Sequence, residues 1–317
     1  MTRRDISGIL LLDKPFGMTS NQALQKAKRL YASPKSGHTG TLDPLATGML
    51  PICMGEATKF TSVLLKASKA YDAVIKLGYQ STTGDAEGDI KKLSDVASTQ
   101  LSMQDCKSVL RQFVGKIVQT PPMYSALKHQ GKPLYVYARK GAAIERKPRE
   151  VTIYDLQIKS LSGNELTVSA QCGTGTYIRV LAEDIGRALG CGSAYLKSLR
   201  RLCVGNFHLN QAKTLEVLKK MNEMERDHCL LPVDSILSDI PSVSLDKAEA
   251  QAILFGRVVR RNNDESRIDH TRQEKIVRLY YQKFFLGLGE ILADRSIKSK
   301  RLLSDGYIIS QNHNLLS

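Results

Sequence analysis

The sequence predicts an α+β fold: a large mixed, mostly antiparallel sheet flanked by helices, followed by a small C-terminal β-rich domain. Three observations carry that prediction. Strand-like runs recur along most of the chain, and helical patterns fall between only some of them, without the regular rhythm of a doubly wound sheet. A stretch punctuated by proline, serine and aspartate, LLPVDSILSDIPSVSLD at 230–246, then precedes a short strand-rich tail. Finally, at 317 residues the chain exceeds what one average core organises, so two domains or one large domain with an appendage are expected, and the punctuated stretch sets the bounds at 1–240 and 246–317.

The elements follow in order. ISGILLL (6–12) is an apolar run bounded by turn signals, as in a buried strand. Thr19 and Gln22 have capping-box spacing, and Leu24, Ala27, Leu30 and Tyr31 recur at helical intervals, leaving Lys26, Lys28 and Arg29 on a basic outer face. GHTGTLDPLATGMLPIC (37–53) reads as a stiff, glycine-rich loop. In KAYDAVIKLGY (69–79) Tyr71, Ala73, Ile75, Leu77 and Tyr79 share one face of a half-buried strand, and STTGDAEGD (81–89) is a polar connection. Ser102 with Asp105 caps a second helix through Val109, Leu110, Phe113 and Val114, which stops near Gly115. Strands at 151–158 and 165–172 lead into GTGTYIR, and Val180, Leu181, Ile185 and Leu189 mark a helix that ends at Gly190. In the tail, IVRLYY (276–281) and FFLGLGEIL (284–292) form a hairpin, while RVVRR (257–261) precedes a polar segment, 262–274, that is expected to be mobile.

Composition narrows the partners. A formal net charge of +15 and a pI near 9.5 favour polyanions, nucleic acid first among them. The strongest local signal is 121–150, where Lys128, Lys132, Arg139, Lys140, Arg146, Lys147 and Arg149 are interleaved with Tyr124, Tyr135 and Tyr137. Cations neutralise phosphates and tyrosine rings stack on unpaired bases. The six cysteines show no C-x-x-C pair and no zinc-ligand spacing, so they read as buried thiols in a reducing cytoplasm. The apolar run near the N-terminus is broken by Asp13, Lys14 and Pro15 before it could serve as a signal peptide, and no stretch approaches the roughly 18 apolar residues of a membrane span.

Absent motifs narrow the chemistry. There is no phosphate loop, no G-x-G-x-x-G after a strand, no H-E-x-x-H and no nucleophile elbow. Asp43 stands out instead. It is flanked by Pro44 and crowded by His38, Thr39, Thr41 and Thr47, with Gly37, Gly40 and Gly48 allowing close backbone approach. A loop aspartate commonly accepts a turn hydrogen bond. If catalytic, Asp43 acts as a nucleophile or base without metal or cofactor, and it needs a cationic partner to stay ionised in a dry pocket. Arg179 in GTGTYIRV is the candidate.

These stretches together resemble the TruB family of tRNA pseudouridine synthases. LLDKPFGMTS, GHTGTLDPLATGMLPIC, KAYDAVIKLG, QTPPMYSALKHQGKPLYVYAR, CGTGTYIRVLAEDIGRALG and SLRRLCVGNF fall in the family's order across residues 9–207, and the tail is similar to a PUA-type RNA-binding domain. The resemblance implies the pseudouridine synthase fold. It also implies isomerisation of the uridine at position 55 in the T loop of tRNA, by base flipping and without cofactor or metal; an additional tRNA-folding role, suggested by the charge and the tail, stays open. It assigns the essential acid to Asp43, the stacking surface to Tyr71 and the ion pair to Arg179. Tyr177 and Leu199 would line the pocket, and His38 would hold loop nucleotides when the target is extruded. Lys14 and Pro15 would buttress the site, and 124–150 would close over the RNA. The stretch before Leu199, GCGSAYLKSLRR, departs from the family's pattern. A monomer that acts on the T arm in the cytoplasm is the resulting expectation. Two alternatives stay open: a non-catalytic RNA-binding factor, and a DNA-acting glycosylase that would release free base.

Overall fold

A computed structural model describes residues 3–95, 101–260, 275–311 and 315. The segment 262–274, expected to be mobile, lies outside the described residues. The main sheet has eleven strands. Its path is built from β1 (Gly8–Lys14), β2 (Thr47–Met54), β3 (Lys69–Leu77), β4 (Gly115–Gln119), β5 (Arg149–Ser162), β6 (Glu165–Cys172), β7 (Ala194–Val204) and β8 (Lys213–Thr214). Their order is β8-β1-β2-β7-β3-β6-β5-β4, and three short strands pair off this path. The β1–β8 and β2–β7 pairings are parallel and the other neighbours on the path are antiparallel, as the sequence predicts.

The strand periods explain the layers. Within β1, residues 9–12 form an unbroken apolar run because both faces are covered. Leu10 and Leu12 face helix α1 (Ser20–Leu30) through Ala23, Leu24 and Ala27, while Ile9 and Leu11 face a second core. β3 alternates as expected: Tyr71, Ala73, Ile75 and Leu77 are buried against α2 (Met103–Arg111) and α3 (Ile178–Ala188). Gly78, at φ +82°, ends that alternation, and Tyr79 starts a separate short strand. Both predicted capping boxes form, at Thr19/Gln22 and Ser102/Asp105.

Two readings need correction. The stretch 37–53 is not one loop, because Ser36–His38 and Thr47–Met54 are paired strands. β2 lies between β1 and β7 in the middle of the sheet, and only 39–46 remains irregular. Gly48 is what permits that packing. At φ +104° its α-carbon lies against the β7 backbone, where a β-carbon would overlap the Arg201 carbonyl. The second correction concerns the cysteines. Cys53, Cys106, Cys172 and Cys191 are buried, but Cys203 and Cys229 are half-buried, and all six are free thiols.

The tail forms a four-stranded sheet from Ser242–Leu245, Lys275–Tyr281, Phe284–Ile291 and Ile297–Leu302, with the expected hairpin at its centre. It shares one core with the large sheet: Ile9, Leu11, Phe60, Val233, Leu279, Leu286 and Ile308 belong to a single buried cluster. Phe60 and Phe285 meet at 5.7 Å between ring centroids. Lys59 Nζ donates to Leu302 O at 3.1 Å, and Ser304 N donates to Glu56 Oε2 at 2.7 Å. Among the described residues no helix is long and apolar enough to cross a membrane.

Candidate active site

The loop that carries Asp43 is fixed from three sides. The Ser20 hydroxyl, at the start of α1, donates to Leu42 O at 3.0 Å and accepts from Leu42 N at 2.7 Å. Ala46 N donates to Asp43 O at 3.1 Å, which closes a turn around Pro44. Lys14, fully buried at the end of β1, donates from Nζ to Pro15 O (2.9 Å), Met18 O (2.5 Å) and Pro44 O (3.4 Å). Lys14 therefore buttresses the loop. Burial lowers its pKa to about 8.

Arg179 reaches Asp43 from the first turn of α3. Its Nε lies 3.1 Å from Asp43 Oδ2, and its side chain is 6% exposed against 37% for Asp43. The other two guanidinium nitrogens are also occupied: Nη1 donates to Thr83 O at 2.8 Å and Nη2 to Tyr124 O at 2.7 Å. One planar cation thus joins the acid, the 81–89 connection and the start of the basic segment. The expected pair forms, but it does not dominate the acid. Burial is the largest influence and raises the Asp43 pKa above its ordinary value of 3.8; Arg179 opposes it, Asp85 adds to it, and Lys14 opposes it.

Around the acid lies a cavity of about 330 Å³. Tyr71, Tyr177 and Leu199 all line it. Tyr71 is 8% exposed at the head of β3, and burial pushes its hydroxyl pKa up. Ser125, Ala126 and Leu127 form part of the wall, so the basic segment reaches the site. His38 is not a lining residue. It sits half-buried in its short strand opposite Ile52, with Nδ1 buried and lacking a hydrogen-bond partner and its pKa lowered by burial and by Arg201.

The basic segment 124–150 is more ordered than a charged loop. It holds a two-stranded hairpin and a short helix, Leu134–Ala138. Lys128, Lys132, Arg139, Lys140 and Lys147 are exposed. Among its tyrosines, Tyr135 is exposed beneath Arg139, whereas Tyr137 packs edge-on to His129. Arg149 lies over the Tyr177 ring at 5.1 Å and donates to Gly175 O.

Sequence reasoning missed several site residues. Arg201, on β7, is 1% exposed, with Nε donating to Met49 O at 2.6 Å and Nη2 to Gly40 O at 3.2 Å. Its signal was an arginine inside the stretch SLRRLCVGNF that carries part of the family resemblance. Asp85 is buried, accepts from Thr83 Oγ1 at 2.6 Å and lies 3.7 Å from Arg179 Nε. Gln119 accepts from Tyr177 N at 3.0 Å and donates to Tyr177 O at 3.3 Å, which fixes the entry to α3. Lys69 Nζ donates to the carbonyls of Leu65 (2.8 Å) and Ala67 (2.5 Å) beside the cavity. Among the described residues, no group of three or more His, Cys, Asp or Glu side chains is placed to hold a metal ion.

Comparison with known proteins fits this arrangement. Residues 28–178 match the family described as TruB family pseudouridylate synthase (N terminal domain). Residues 179–238 match the tRNA pseudouridylate synthase B C-terminal domain, and 241–303 match pseudouridine synthase II TruB, C-terminal. The tRNA pseudouridine synthase B of Nitrosospira multiformis is 52% identical over 305 residues, covering 95% of this chain and 97% of its own. The protein of the same name from Methylobacillus flagellatus is 49% identical over 302 residues, covering 95% and 96%. Among solved structures, a Cbf5-Nop10-Gar1 complex contains a chain with the same fold, with a TM-score of 0.68 at 23% identity, covering 93% of this chain and 84% of that one. The chain belongs to the TruB family.

Proposed function

From membership in the TruB family we infer that the protein is a tRNA pseudouridine synthase, that it isomerises uridine 55 of the T loop, and that Asp43 is its reacting acid. One observation carries the reading: a single carboxylate at the edge of a cavity of about 330 Å³, paired with a buried arginine and shared with the Tyr71 ring. The reaction needs no more than this. The N1–C1′ bond breaks, the uracil turns, and C5 bonds to C1′; C5 gives up its proton and N1 gains one, so no atom or electron is lost overall.

Asp43 can serve as a nucleophile at C1′, as a nucleophile on the ring, or as the base for a sugar proton. All three roles require the ionised form, and Arg179 favours it. Extruding the base costs a few kcal/mol, offset in part by stacking on Tyr71. Tyr177 and Leu199 bound the pocket, Lys14 holds the Asp43 loop, and His38 contacts loop nucleotides from outside the cavity. The exposed cations of 124–150 grip the T-arm backbone, and 246–317 adds a PUA-like RNA-binding surface. The test is a pseudouridine map of an unmodified tRNA transcript after incubation with the pure protein. One new pseudouridine at position 55 is expected; tight binding without conversion refutes the enzymatic reading.

A further inference from the structure

One wall of the catalytic cavity carries a buried hydroxyl without a partner. Ser125 lines that cavity beside Ala126 and Leu127, is 5% exposed, and its Oγ is buried with no hydrogen-bond partner among the described residues. Most buried polar side chains in folded proteins are paired, because an unpaired one gives up water without compensation. Alanine would fill the same position without that cost. The hydroxyl therefore suits a partner that arrives with the substrate.

The backbone around Ser125 is fixed on both sides. Arg179 Nη2 donates to Tyr124 O at 2.7 Å, Ser125 N donates to Met123 O at 2.9 Å, and Tyr135 N donates to Ser125 O at 3.1 Å. Leu134 N donates to Leu127 O at 2.7 Å two residues on. Only the hydroxyl is left to choose a partner, and rotation about χ1 moves it among three staggered positions. These contacts also decide which part of the substrate it meets. Tyr124 accepts from the guanidinium whose Nε lies 3.1 Å from Asp43 Oδ2, so Ser125 belongs to the acid's side of the cavity, where the sugar of the target lies when its base stacks on Tyr71. A neutral hydroxyl, both donor and acceptor, matches another hydroxyl, whereas phosphates suit the exposed cations of 124–150. On ribose that group is the 2′-hydroxyl, by which a protein tells RNA from DNA.

We propose that Ser125 pairs through Oγ with the 2′-hydroxyl of the target uridine, seating the ribose beside Asp43 and selecting RNA over DNA at that position. The proposal rests on the pseudouridine synthase reading. It makes Ser125 a specificity-determining residue for the sugar.

The test measures binding by the full chain in an Asp43→Asn background, so that no reaction intervenes. T-arm oligonucleotides carry either uridine or 2′-deoxyuridine at the target position and are otherwise identical. Adding Ser125→Ala is expected to weaken binding of the uridine form by about 2- to 12-fold, the range for one neutral hydrogen bond, and to leave binding of the 2′-deoxy form unchanged. Ser125→Ala alone is expected to melt no lower than wild type, since it removes an unpaired hydroxyl. Equal losses on both oligonucleotides, or no loss on either, overturn the proposal. So does a lower melting temperature, which would mark the hydroxyl as structural. A wild-type protein that leaves the uridine form unconverted refutes the reaction itself, which separates the two failures.

Discussion

Replacing Arg179 with methionine isolates the electrostatic support of the acid. At 3.1 Å and an effective dielectric constant of about 20, the bare attraction between the two charges is about 5 kcal/mol. The Asp43 side chain is 37% exposed, so water screens the pair towards the ~1.5–3 kcal/mol typical of a hydrogen bond between charged groups. At 1.36 kcal/mol per pH unit this is a change of about 1–2 units. The direction follows from the required ionisation. Burial already places the Asp43 pKa above 3.8, Arg179 pulls it down, and activity is lost as pH falls through it. Removing the guanidinium raises that pKa further, so the acid limb of kcat/KM moves up by about 1–2 pH units. The assay is C5 tritium release from a T-arm transcript between pH 4 and pH 9, with Arg179→Lys as a charge-preserving control. Losing the Thr83 and Tyr124 contacts lowers the rate at every pH, so the position of the limb is the diagnostic quantity. An acid limb unchanged from wild type would refute the assignment of Arg179 as the partner that holds Asp43 ionised.

Three further outcomes are expected. Gly48→Ala places a β-carbon against the β7 backbone at a positive φ, and strain plus overpacking is expected to cost about 2–5 kcal/mol in urea unfolding; a change under 1 kcal/mol would mean that β2 and β7 pack less closely than described. Lys14 has a folded pKa of about 8 against an ordinary 10.5, so the unfolded chain binds more protons between those values and stability rises with pH there, by up to about 1.4 kcal/mol per unit. Lys14→Met should flatten that slope. Truncation after residue 240 is expected to lower the melting temperature and solubility of the large domain, since Leu11, Phe60 and Val233 lose their cover; a truncated protein that melts like the full chain would show that the shared core contributes little.

Much of the architecture was legible because local rules and tertiary packing agree. The alternation from Tyr71 to Leu77 reports one buried face, and both capping boxes sit where α1 and α2 begin. The central strand β2 was hidden by its own composition. Gly48 and Pro51 argue against a strand, yet the glycine is what lets β2 approach β7. β7 was obscured differently, as bulges between Leu196 and Ser198 and between Arg201 and Cys203 break its period of two. In the site, a buried carboxylate demands a cation, and that demand led to Arg179. Nothing comparable led to Asp85, whose turn-rich neighbourhood looks like any polar connection, or to Arg201, whose burial depends on carbonyls from the distant Met49 and Gly40. The shared core between the large sheet and the tail could not be read from either segment alone.

The most direct test of the central claim compares wild type with Asp43→Asn, a variant that keeps the side chain's shape and deletes its charge. Both proteins are mixed with a T-arm transcript carrying tritium at C5 of its uridines, and release and RNA binding are measured together. The asparagine variant is expected to bind the transcript as wild type does and to release no tritium. Release at a rate near that of wild type would contradict it.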